Sequence, residues 1–211
     1  MSKQIPISFE FFPTKTDAGA EKLITVHKEL QLLNPEFFSV TYGAGGSTRE
    51  RTLSTLNDFN GKGTPVAPHL SCIGDSKERI AELLDLYKSQ GIDRIVALRG
   101  DLPSGQVGLG ELPYAQDLVR FIREHSGDHF HIEVAAYPEM HPQADHFDQD
   151  IKNFVTKVNA GANAAITQFF FNPDAYFYFV EGIQKQGVNI PVAPGIMPIT
   201  NASNLIRFAD G

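Results

Sequence analysis

Seven short apolar runs, each followed by a longer stretch with helical periodicity, constrain this chain more than any other feature. The runs are PISFEF (6–11), EFFSVT (36–41), PVAPHL (65–70), RIVAL (94–98), HIEVAA (131–136), AAITQFF (164–170) and IPVAPG (190–195). Between them, RIAELLDLY sets Ile80, Leu83, Leu84 and Tyr87 on one helical face, and IKNFVTKV does the same with Ile151, Phe154, Val155 and Val158. Asn172-Pro173 predicts a helix start, a capping side chain followed by proline in the first turn. Gly91, Gly161 and Gly187 follow helical stretches and predict left-handed stops before the next strand. Strand and helix alternate roughly every 30 residues, which means parallel strands with helical crossovers.

Two architectures satisfy that pattern, a (β/α)8 TIM barrel and an open doubly wound sheet. The first strand is not followed by G-x-G-x-x-G. Polar residues also stand at the ends of many strands: Glu10, Thr41, His69, Arg99 with Asp101, Tyr137 and Gln168. In a barrel those ends converge on one mouth, so the barrel is the expected fold class, as one domain over residues 1–211. Such barrels usually take about 250 residues. The expectation is therefore that the last βα unit is missing from this chain, leaving the domain incomplete at its C-terminal side or closed by a partner.

The strand ends carry the candidate chemistry. RIVALRGDLP delivers Arg99, Gly100 and Asp101 together. Either Arg99 and Asp101 form a structural pair, or Gly100 lets a ligand approach the backbone while Arg99 holds a phosphate or carboxylate. Glu10 lies between Phe9 and Phe11, so it is expected to point into the barrel. A carboxylate kept dry there would be a general acid, and the bland alternative is a pair with a nearby Lys or Arg. TYGAGGST (41–48) is a glycine-rich helix entry without the Gly-Lys-Ser/Thr ending of a P-loop. Tyr137 offers a stacking surface, His141 a donor, and Gln168 an amide able to read a heterocycle. Most phenylalanines of ITQFFFNPDAYFYF are expected in the core or in packing between helices. Five histidines fall between residues 125 and 146, but their spacing fits no metal-ligand pattern, so no metal is expected.

The bulk properties narrow the partners. The 211 residues carry 18 basic and 25 acidic side chains, a net charge of −7, which argues against nucleic acid or an anionic membrane as partner. The single cysteine allows no internal disulfide and suits a reducing compartment. No signal peptide or membrane-spanning run is present, so a cytoplasmic protein is expected.

Read together, SFEFFP, VTYGAGGSTRERT, APHLSCI, IVALRGDLP, VAAYPEMHP, KVNAGANAAITQFFF and APGIMPI resemble the methylenetetrahydrofolate reductase family, in that family's order and over almost the whole chain. The resemblance implies a barrel that binds FAD non-covalently. It implies reduction of 5,10-methylenetetrahydrofolate to 5-methyltetrahydrofolate with NADH or NADPH by a ping-pong scheme, serving methionine synthesis, in a homo-oligomer. Glu10 then matches the general acid, Asp101 a catalytic carboxylate near flavin and folate, and Gln168 a contact to folate and nicotinamide. The implied flavin contacts are Thr41, Tyr42, Ala44, His69, Arg99, Gly100, Asp101, Tyr114, Ala115, Tyr137, His141, Ala144, Asp150, Asn153 and Lys157. Lys157 is expected on the polar side of its helix as a diphosphate partner, and Thr156 replaces a position that is often basic. Two other readings stay open: a non-catalytic flavin-binding fragment or pseudoenzyme of the same fold, and another barrel enzyme acting on a pterin or flavin substrate.

Overall fold

A computed structural model describes residues 5–42, 46–101, 108–203 and 206. The chain alternates strand and helix throughout: β1 (Phe9–Phe11), α1 (Asp17–Gln31), β2 (Phe38–Val40), α2 (Gly46–Phe59), β3 (Val66–Ser71), α3 (Lys77–Ser89), β4 (Arg94–Leu98), α4 (Ala115–Ser126), β5 (His131–Ala136), α5 (Phe147–Asn159), β6 (Ala164–Thr167), α6 (Pro173–Lys185) and β7 (Val192–Ala193). All seven expected strands are present. They form one parallel sheet in chain order, β1 to β7, each strand beside its sequence neighbour. An open doubly wound sheet would show a reversal of strand order, and there is none.

Local chemistry explains the helices. The Ser76 side chain accepts the Arg79 N–H to start α3, whose buried stripe is Ile80, Leu83, Leu84 and Tyr87. Asn172 caps α6 through the Asp174 N–H, with Pro173 in the first turn. Gly91, Gly161 and Gly187 all take positive φ after their helices. β1, β2, β6 and β7 are shorter than the apolar runs that announce them, whereas β3, β4 and β5 match theirs in length. β7 shrinks to two residues between Pro191 and Pro194, and β1 to three, each with a single neighbour. Prolines cannot donate to a ladder, and an edge strand has only one partner to hold it straight.

Two apolar layers result from the alternation along each strand. Phe11, Phe38, Val40, Leu70, Ile95, Ile132 and Val134 face outward into the main core beneath the helices. Phe37, Ala67 and Val96 cluster on the other face with Leu98 and Ile166. Ile166 of β6 packs against this cluster although β6 is a sheet neighbour of none of the strands that supply it, so the sheet must curl as a β/α barrel does. The floor of the curl is charged. Arg94 donates to Glu133 at 2.5 Å and lies 4.5 Å from the centroid of the Phe37 ring, while His131 Nε2 approaches the same carboxylate at 3.4 Å. Burial pushes the Glu133 carboxyl up in pKa, against the pull of Arg94.

Between β1 and β7 the curl stays open among the described residues. A cavity of about 770 Å³ runs along this seam, lined by Ile5, Ile7, Phe12, Ile196 and Ile199 among others. No described helix is long and apolar enough to cross a membrane.

Candidate active site

The C-terminal ends of the strands meet around a central cavity of about 560 Å³. Glu10 of β1, Thr41 and Tyr42 after β2, His69 of β3, Asp101 after β4, Tyr137 after β5 and Gln168 after β6 all line it. Side chains converging from six successive strands are the arrangement of a barrel mouth. A second cavity of about 380 Å³ opens beside it, lined by Arg99, Tyr114, Ala115, Gln116, His141, Gln143, Ala144, Asp150, Asn153 and Lys157.

Gly100 divides the two. Arg99 turns toward the second cavity, where it donates to Gln143 Oε1 at 2.6 Å and to the Gly100 carbonyl at 3.1 Å. Asp101 turns toward the first. The expected alternative of an Arg99–Asp101 pair does not form. Gly100 has φ +82°, and a Cβ there would overlap Ser71 Oγ, which donates to the Arg99 carbonyl at 2.7 Å. The glycine is thus demanded by close packing of β4 on β3, a different reason from the ligand approach read in the sequence. We expect Gly100→Ala to destabilise the protein by about 2–4 kcal/mol through positive φ and overpacking together. Thermal denaturation measures this, and adding Ser71→Ala should recover part of the loss.

Glu10 points into the barrel as expected, since Phe9 and Phe11 pack in the outer layer. It is not dry. Its side chain is 37% exposed, and its partner is His69, with Nε2 at 3.4 Å from Oε2, in place of a Lys or Arg. Tyr137 packs edge-on against His141 at 4.4 Å between ring centroids, and burial followed by the Asp101 charge raises its hydroxyl pKa. His141 Nδ1 accepts the Gln143 N–H, which leaves the ring proton on Nε2 as a donor. Burial lowers the His141 pKa, so the ring is a neutral donor. Asp150 accepts the His141 backbone N–H at 2.9 Å and so ties the loop after β5 to the first turn of α5.

Lys157, expected on the polar side of α5, lies half-buried there and lines the second cavity. Its ammonium reaches inward to donate to the Ala135 carbonyl at 2.5 Å, and burial brings its pKa down to about 8. No carboxylate lies within ion-pair distance of it among the described residues. Arg99, Lys157 and the His141 donor therefore gather beside a cavity with room for a phosphate-bearing group.

The other expectations resolve case by case. Ala44 lies outside the described residues, as does most of the glycine-rich turn around it. The clustered histidines scatter: His125 pairs with Asp85, His129 bonds the Ile92 carbonyl, His131 sits at the barrel floor and His146 caps α5. Among the described residues no three His, Cys, Asp or Glu side chains converge on a metal position. The aromatic segment is not mostly core. Phe179 is buried, but Phe177 and Tyr178 are exposed, and Phe169 and Phe171 line the mouth. Phe12, Met197, Gln116 and Gln143 also line the cavities and were not foreseen. Gln143 had a signal, two residues after His141 in a strand-end loop, whereas Met197 reaches the mouth only through the fold.

The molecule is a seven-stranded parallel β/α half-barrel with a polar mouth joined to a cation-lined side cavity. The family model for methylenetetrahydrofolate reductase matches residues 1–210, and the chain belongs to that family. The 5,10-methylenetetrahydrofolate reductase of Pectobacterium carotovorum subsp. carotovorum is 44% identical over 207 residues, covering 98% of this chain and 68% of that protein. The Escherichia coli K12 enzyme of the same name is 43% identical over 208 residues, covering 98% and 69%. Among solved structures, an uncharacterized Clostridium thermocellum protein that binds two copies of 5-methyl-5,6,7,8-tetrahydrofolic acid superposes with a TM-score of 0.65 at 15% identity, covering 97% of this chain and 70% of that one. At that identity the likeness speaks to the fold alone.

Proposed function

We propose that this chain is an FAD-dependent reductase that converts 5,10-methylenetetrahydrofolate to 5-methyltetrahydrofolate with NADH or NADPH in a ping-pong scheme. The observation that carries the reading is Glu10 and Asp101 on one cavity in a chain of this family. The donor set suits the cofactor. Arg99, Lys157 and His141 Nε2–H match a diphosphate and its ribitol, while Thr41, Tyr42, His69, Asp101 and Tyr137 surround a space of the size and polarity of a flavin ring with a second planar ring against it. Bound there, FAD would carry a hydride from the nicotinamide to the folate.

This chain's own residues supply the rest. Glu10 delivers a proton to N10 of the folate and opens its five-membered ring. The Asp101 carboxylate stabilises the cationic iminium left on the substrate. Gln168 continues the inner face of Ile166 and offers its amide to the pteridine or nicotinamide. The open seam between β1 and β7 supports filling by one further βα unit, in keeping with relatives longer than this chain. The alternative is a flavin-holding form without turnover.

An anaerobic absorption experiment tests the reading. The purified chain should be yellow, bleach with NADH or NADPH and recover with methylenetetrahydrofolate. Bleaching without recovery would establish the non-catalytic alternative.

The affinity for FAD should also fall as pH rises. Lys157 is protonated below about pH 8 and loses its charge above it. If the diphosphate binds only the charged form, affinity drops by up to about tenfold per pH unit beyond that point. Fluorescence titration should show the drop in the native protein and its absence in Lys157→Met.

A further inference from the structure

Among the described residues that line the mouth, His69 is the one with a buried side-chain nitrogen that makes no hydrogen bond. It is buried on β3, and its Nε2 approaches Glu10 Oε2 at 3.4 Å. An unpaired buried ring nitrogen is expensive. The two side chains come from strands that are not neighbours, and the register explains how they meet. Glu10 pairs with Ser39, and Ser39 with Ala67, one inward position before His69. Two small side chains on the intervening face leave Glu10 and His69 free to reach across β2.

Glu10 has few other restraints. β1 is three residues long and has one neighbouring strand, at the open seam. A carboxyl group on so short an edge strand would sample several rotamers unless something fixed it.

We propose that His69 is a positioning residue for Glu10, its Nε2 holding the carboxyl group in one orientation over the mouth so that the acid faces the folate. The inference rests on the reductase reading for what Glu10 does, but the pairing itself does not. With Glu10 ionised, Nε2–H donates to it; with Glu10 protonated, the carboxyl donates to Nε2. One contact therefore serves both states of the acid. The other titratable groups on this cavity are Tyr42, Asp101 and Tyr137.

Two experiments on the full chain test this. The first is a double-mutant cycle by urea denaturation in the flavin-free protein, using Glu10→Ala, His69→Ala and the double variant. The proposal expects the two effects to be non-additive, and additivity would overturn it. The second follows the two half-reactions of the flavin-loaded protein. His69→Ala should slow reoxidation by methylenetetrahydrofolate roughly 10- to 100-fold, as expected of a misaligned acid, and should slow reduction by NADH markedly less. His69→Gln, which keeps a nitrogen donor near the Nε2 position, should restore most of the rate. Equal slowing of both half-reactions, or no advantage of Gln over Ala, would mean that His69 only shapes the cavity, and the proposal would fail. If the native protein is not reoxidised by folate at all, the reductase reading fails instead, and the denaturation cycle still decides the pairing.

Discussion

Replacing Glu10 by Gln should lower the rate of folate reduction by about 10²–10⁴-fold, the usual contribution of a positioned general acid. Gln has nearly the same shape and still reaches His69, so the mouth should keep its form. The variant should stay yellow, and reduction by NADH or NADPH should proceed close to the native rate, because that step needs no proton from Glu10. The loss is thus confined to one half of the catalytic cycle. Stopped-flow absorbance, with each half-reaction started separately, resolves it. If both halves slow together, Glu10 is holding the site's shape and is not the acid. If neither slows, the proton comes from elsewhere.

The second large effect lies at the opposite end of the barrel. Arg94→Met removes the partner of Glu133, whose carboxylate is 3% exposed and packed among Val96 and its neighbours. An uncompensated buried charge of this kind costs about 3–5 kcal/mol. Methionine restores much of the volume but none of the charge. The deficit should depend on pH in a defined direction. Burial already raises the Glu133 pKa in the native protein, and losing Arg94 raises it further. A carboxyl whose folded pKa is raised takes up a proton on folding, so its penalty is greatest above the folded pKa and fades as pH falls toward the unfolded value. Arg94→Met should therefore be closer to native stability near pH 5 than near pH 8. Urea titrations at the two values measure the difference, and adding Glu133→Leu should recover most of the stability at both.

The sequence carried the periodic parts of this structure well. Alternating apolar runs announced all seven strands, and Asn172-Pro173 and the three glycines marked helix ends where they occur. Periodicity also set Glu10 on the inner face. What it could not carry was anything decided by non-local geometry. Arg99 and Asp101, two residues apart, serve different cavities because β4 packs against Ser71 and forces a left-handed turn at Gly100. Nothing in RGD itself announces Ser71. The helix pattern put Lys157 on the polar side of α5, but not that its long side chain reaches the Ala135 carbonyl of β5. The phenylalanines of residues 166–179 read as core or inter-helix packing because composition does not reveal that the chain leaves the sheet there, and of them Phe179 is the one that is buried. The openness of the mouth around Glu10 follows from the short edge strand, which no residue-level pattern encodes.

The order of the strands has a consequence for how the molecule is made. Every ladder joins a strand to the one synthesised just before it, with one helix between them. Each new unit can dock on a completed surface as soon as it leaves the ribosome, without waiting for a distant segment. The growing end always presents one raw sheet edge, and β1 presents another from the start. Nascent chains arrested after successive helices should accordingly gain protease resistance stepwise, one strand–helix unit at a time.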